Sequence, residues 1–213
     1  MGFLDKIFGK PVPRYFSEYC LEELWRSLDA YEQRTLAEYY QKDILGSIDI
    51  YKGSPLKTSM SRPSFLTNIV AAYNYKKMYH SADKVVKYIE SNQLDNFNVV
   101  NKHFFYNNCI ELYYKPQNDE FNDVEKAIHY CYSDIDLVKN NLKEIKKIGN
   151  GKLPSIPSFK QLSIILEKQE KYNDAIKVCD MAIKLGLNDK TQKGYLGRKE
   201  KLKNKKLKKG ASN

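Results

Sequence analysis

The stretch PSFKQLSIILEKQEKYNDAIKVCDMAIKLG, Pro157 to Gly186, decides the fold. Phe159, Leu162 and Leu166 recur at helical spacing and form one apolar stripe. Asn173-Asp174 opens a second stripe through Ala175, Ile176, Cys179, Ala182 and Ile183. Small Ala175 and Ala182 let two antiparallel helices approach closely. Gly186 stands where a left-handed helix C-cap is needed, with Leu187 placed to add the accompanying apolar contact. The stretch therefore predicts a helical hairpin.

Working outward, the chain repeats this pattern. Pro63-Ser64-Phe65 matches Pro157-Ser158-Phe159, and Tyr79/Ala82 matches Tyr172/Ala175. Between them, Ala127-Ile128-His129-Tyr130-Cys131 parallels Ala175-Ile176-Lys177-Val178-Cys179, preceded by an apolar-periodic segment from His103 to Lys115. Three helix–turn–helix units follow, at about 63–92, 101–140 and 156–188. In the middle unit Val124, Ile128, Cys131, Ile135, Val138, Leu142 and Ile145 alternate in steps of four and three, which predicts one long second helix. A coiled-coil seam joining two copies of the chain is the competing reading of that stripe.

The last unit resembles the tetratricopeptide repeat, whose frame is 34 residues long. With the frame started at Ile156, the family's large aromatic falls on Phe159, its Leu on Leu162, its aromatic before the first Ala on Tyr172, and its two Ala on Ala175 and Ala182. Ser163, Leu166 and Leu187 depart from the pattern. The resemblance implies stacked antiparallel hairpins with a concave groove, lined by the first helices, that takes a protein or peptide. It implies no catalysis. Tyr73 and Asn74 on one first helix, and Tyr106, Asn107 and Asn108 on the next, are the groove candidates it points to, with the Asn amides holding a peptide backbone. Lys160 matches the fifth position of the carboxylate clamp found in some members, but Ile164 does not match the ninth.

Outside the repeats, residues 14–62 read as a helical segment and connector. Ser17 is a plausible N-cap, and Leu21, Leu24, Trp25, Leu28 and Tyr31 continue one stripe that extends through Leu36 and Tyr40. Gly53, Pro55 and Pro63 mark an exposed connector over 52–62. Residues 1–13 form an amphipathic piece with Phe3, Leu4, Ile7 and Phe8 on one face. Residues 190–213 predict a basic C-terminal capping helix and tail, with Tyr195 and Leu202 seven apart. The fold expected is all-α: an N-terminal helical segment, three irregular hairpins as an α-solenoid, and a basic cap.

Charge separates body from tail. The formal net charge is +10, and Lys193 to Lys209 carries nine basic residues against Glu200 alone. The body is near neutral, so the composition does not predict a nucleic-acid-binding face. A mean hydropathy of −0.64 and the short apolar runs predict no membrane span. No leader of signal-peptide length is read at the start, so the expected compartment is the cytoplasm, and Cys20, Cys109, Cys131 and Cys179, with no CxxC pair, are expected to be reduced.

The chemistry-bearing motifs are absent. His80, His103 and His129 have no metal-ligand spacing, and Gly149-Asn150-Gly151-Lys152 lacks the spacing of a phosphate loop. Acidic pairs such as Asp134/Asp136 read as solvated helix surface. The sequence therefore predicts no enzyme, no metal and no cofactor. The leading expectation is a protein- or peptide-binding adaptor. The alternative is a peripheral adaptor on an anionic membrane surface through Phe3, Leu4, Ile7, Phe8, Lys201, Lys205 and Lys206. A sequence-nonspecific nucleic-acid binder ranks third, because the tail offers Tyr195 as its one stacking aromatic.

Overall fold

A computed structural model describes residues 11–42, 48–55, 58–114, 121–189, 191 and 193–210. Every regular element among them is helical. The chain divides into two compact units, Met1–Phe97 and Asn98–Asn213. The amphipathic piece carrying Phe3, Leu4, Ile7 and Phe8 lies outside the described residues.

The N-terminal unit begins with three helices where one stripe predicted a single helix. They are α1 (Arg14–Glu18), α2 (Glu22–Ser27) and α3 (Ala30–Lys42). Cys20 takes a left-handed φ of 53° and ends α1. Leu28 is extended and ends α2. Asp29 then caps α3: its Oδ1 accepts from the backbone N–H of Tyr31 and Glu32, while Glu32 Oε2 accepts from Asp29 N–H at 2.7 Å. This reciprocal box satisfies donors that a helix start leaves open. Pro13, not Ser17, stands at the N-cap of α1.

The unit's first hairpin is α4 (Arg62–Tyr75) and α5 (Tyr79–Asn92), followed by a short 3₁₀ turn at Leu94–Asn96. Ser61 caps α4 by accepting from Ser64 N–H at 3.3 Å. Helix α4 is buried on most of its circumference, through Phe65, Leu66, Ile69, Val70, Ala72 and Tyr73. That is the pattern of a central helix. Lys84 on α5 reaches Glu32 on α3 at 2.7 Å and so ties the hairpin to the N-terminal helices. The connector is only partly exposed, because Ser54 and Pro55 are buried.

The C-terminal unit holds two hairpins, α6 (Val99–Tyr113) with α7 (Val124–Asn140), and α9 (Pro157–Lys168) with α10 (Tyr172–Lys184). The short α8 (Leu142–Ile148) lies between them, and α9 packs on α7 as well as on its own partner. Asn141 breaks the predicted long helix into α7 and α8, so the heptad stripe is not one continuous seam. Gly186 takes a φ of 71°, and Leu187 N–H closes onto Ala182 C=O at 2.9 Å.

The first and last hairpins share a turn. Lys77 follows α4 and Glu170 follows α9, both left-handed at φ 58°. Met78 N–H then donates to Tyr73 C=O at 2.8 Å, and Lys171 N–H to Leu166 C=O at 2.9 Å. The same closure in both hairpins places Tyr79 and Tyr172 at the start of each second helix.

The basic segment is an ordered helix, α11 (Gly194–Gly210), packed on α10. Tyr195 and Leu202 face inward, 3% and 0% exposed. Arg198 pairs with Asp189 at 3.0 Å, Lys199 with Asp180 at 2.5 Å, and Lys205 with Glu167 at 2.7 Å. Lys209 pairs with Glu170. Burial pushes the Glu167 carboxyl up, but hydrogen bonds from Lys205 and Lys201 and their charges outweigh it and hold the group below its usual value. Asp189 behaves alike, with burial opposed by Thr191 and Arg198. Carboxyls lowered on folding contribute stability at neutral pH and lose it as pH falls through their folded values. Protection of α11 amides is therefore expected to hold from pH 7 to 5 and to fall as pH drops below about 4.5, read by hydrogen exchange. Protection unchanged at pH 3 would assign the docking to Tyr195 and Leu202 alone.

Candidate functional site

Asn98 caps α6 by accepting from Asn101 N–H at 2.9 Å, which fixes where the helix starts and so which face turns outward. Phe105, Cys109, Leu112 and Tyr113 go inward. Phe104, Asn107, Asn108 and Glu111 share the opposite face at steps of three and four. Helix α9 starts at Pro157, whose fixed φ suits the first helical position. It buries Phe159, Leu162, Ile165 and Leu166 and leaves Pro157 and Gln161 toward α6.

An open groove of about 430 Å³ lies between these two first helices, lined by Asn107, Asn108, Ile110, Glu111, Tyr114, Pro157 and Gln161. Its wall holds three polar atoms that are shielded from water and lack a hydrogen-bond partner among the described residues: Asn107 Oδ1, Tyr114 OH and Gln161 Nε2. Leaving such a group buried and unmet costs on the order of 1–3 kcal/mol. They comprise an acceptor, a hydroxyl and a donor.

The groove connects to a buried pair. Asn107 Nδ2 donates to His103 C=O at 2.8 Å and lies 3.3 Å from both ring nitrogens. His103 Nδ1 stands 2.6 Å from Asp134 Oδ1 on α7, with the side chains 5% and 0% exposed. Asp134 is therefore core, not the solvated surface its acidic neighbourhood predicted. Asn107 is held in the groove wall chiefly by the His103 backbone carbonyl, with the His103 ring beside it.

The other expected site residues separate. Tyr73 and Asn74 are 0% and 5% exposed in the N-terminal unit, where Tyr73 OH donates to Glu32 C=O at 3.1 Å. They are core residues because α4 is covered by α3 as well as α5. Tyr106 is half-buried against the Tyr130 ring at 6.1 Å. Lys160 is exposed on α9 and does not line the groove. Lys201, Lys205 and Lys206 are exposed, but Lys201 and Lys205 both reach Glu167. Of the groove candidates, the structure brings together Asn107 and Asn108. It adds Ile110, Glu111, Tyr114, Pro157 and Gln161, for which the sequence carried the helix face but not the facing helix.

The Cys131 thiol is pushed well up by burial and by Asp134, and Cys179 is pushed up to about 11 by burial, so neither is a ready thiolate. Among the described residues no cluster of His, Cys, Asp and Glu is arranged to hold a metal ion, and no helix is long and apolar enough to cross a membrane. No protein-family model, curated protein or solved structure matches the chain.

Proposed function

We propose that this chain is a non-enzymatic protein- or peptide-binding module built of tetratricopeptide-like hairpins, with its partner held across the α6–α9 groove. One observation carries the reading: two first helices line a single groove whose wall holds an unmet acceptor, hydroxyl and donor. A bound chain meets the half-buried and exposed polar side chains of that wall, Asn107, Asn108, Glu111 and Gln161, and the wall is set beforehand by α6 and α9, which keeps the ordering cost of binding low. The shared turn at Lys77 and Glu170 supports treating the α4–α5 and α9–α10 hairpins as repeats of one unit.

The test compares wild-type protein with the Tyr114→Phe/Gln161→Ala double variant as baits in a nuclease-treated lysate of the source organism. Each neutral hydrogen bond contributes on the order of 1 kcal/mol, so the pair is expected to weaken capture of the partner by about thirtyfold. A partner captured equally by both baits sinks the groove reading.

A further inference from the structure

We infer that the outward face of α11 binds an anionic membrane surface, with Leu196 and Leu207 entering the head-group boundary and the lysines beside them meeting lipid phosphates. This surface is separate from the α6–α9 groove and does not depend on its reading.

Helix α11 has two faces of different composition. Tyr195, Arg198, Lys199, Leu202, Lys205 and Lys209 turn toward the rest of the unit. The two apolar side chains are buried there, and the four cations meet Asp189, Asp180, Glu167 and Glu170. On the far side Leu196, Glu200, Lys203 and Leu207 follow in steps of four, three and four and share one stripe. Both of its leucines face water, 61% and 70% exposed, while Leu202 on the docked side is fully buried. Lys193, three residues before Leu196, and Lys206, three after Lys203, are exposed beside the stripe. Glu200 is the one acid between Gly194 and Gly210. The membrane contact expected at Lys205 is therefore turned to Glu167, and Lys203 stands on the outward stripe in its place.

A ligand for this face has to take apolar side chains and cations together. The leucines are eleven residues apart, about 16 Å along the helix, with Glu200 and Lys203 between them. A protein partner dehydrates a contiguous apolar centre, which this stripe does not offer. A phosphate chain meets the lysines and leaves both leucines in water. The boundary of an anionic bilayer takes separated apolar side chains, and it takes lysines at head-group level, where their methylenes pack and the ammonium stays wet. The ion pairs on the docked side hold the helix so that the outward stripe is presented already formed.

The experiment sediments the full chain at low salt with vesicles of phosphatidylglycerol mixed into phosphatidylcholine, and with phosphatidylcholine vesicles alone. Binding is expected to the anionic vesicles only, and to weaken as salt rises. A lysine beside an anionic surface is worth about fivefold in affinity, so Lys203→Gln/Lys206→Gln is expected to lose roughly twenty-five-fold. Leu196→Ser/Leu207→Ser, which leaves the charge unchanged, is expected to lose about tenfold. All four positions are exposed, so α11 stays docked in both variants, which hydrogen exchange of its amides checks. No sedimentation with anionic vesicles at low salt overturns the inference. So does sedimentation that the leucine variant leaves unchanged, which assigns the attraction to charge alone or to residues 1–13. Single-stranded DNA held equally by wild type and the leucine variant, with no vesicle binding, gives the lysines to a phosphate chain and overturns it as well.

Discussion

Phe65→Ala is expected to destabilise the N-terminal unit by about 4 kcal/mol, a large share of the stability of a domain this size. Phe65 is fully buried on α4, and its ring lies 5.5 Å from Tyr15, 5.3 Å from Phe16, 5.4 Å from Tyr19 and 5.4 Å from Tyr40. One side chain therefore joins α1 and α3 to the hairpin. Truncation removes its transfer energy and leaves a cavity that four rings cannot close together. Trp25 reports on the outcome because it is the chain's one tryptophan and lies 4.9 Å from Phe16. A urea titration followed by Trp25 fluorescence should show the midpoint collapsing for Phe65→Ala. The control Tyr75→Ala, at a ring 66% exposed, should shift stability by less than about 0.5 kcal/mol. A loss below about 1 kcal/mol at Phe65 would mean that this cluster is not the unit's core.

The hairpin helices were legible because their apolar residues recur at helical spacing and proline or polar turns punctuate them. Pro157 and Gly186 mark the two ends of the last hairpin in sequence and in structure. The N-terminal breaks were less visible. Asp29 and Glu32 do carry a capping-box spacing, but the apolar stripe runs through it, and nothing in the residue Cys20 announces a left-handed φ. Tyr73 and Asn74 were misplaced for a tertiary reason. A stripe shows that a helix has one core face, but not that a third layer, here α3, covers a second face. Of the seven residues that line the groove, Asn107 and Asn108 were legible, since they sit on an outward face of α6. Gln161 was not, because which turn of α9 meets which turn of α6 is set by packing between hairpins and has no local signature.

Asp134→Ala is expected to cost the C-terminal unit about 3 kcal/mol. The residue stands between Cys131 and Ile135 on the buried stripe of α7, and its Oδ1 meets His103 Nδ1 at 2.6 Å across the α6–α7 seam. Truncation removes the acceptor and leaves the imidazole buried with no water to replace it. The expense belongs to the orphan rather than to the bond, so removing both partners should undo it. The double variant His103→Leu/Asp134→Leu is expected to lie within about 1 kcal/mol of wild type, or above it, because Asp134 Oδ2 has no partner even in the native seam. Hydrogen exchange of α6 and α7 amides measures both variants without relying on Trp25, which reports on the other unit. If the double variant is as unstable as Asp134→Ala, the pair contributes more than mutual satisfaction. Two apolar helix faces can slide past each other by a turn, and a single His–Asp contact fixes which turn of α6 meets which turn of α7. The double variant should then lose stability and also the contact of the His103 ring with Asn107 Nδ2, while the bond from Asn107 Nδ2 to the residue-103 backbone C=O stays.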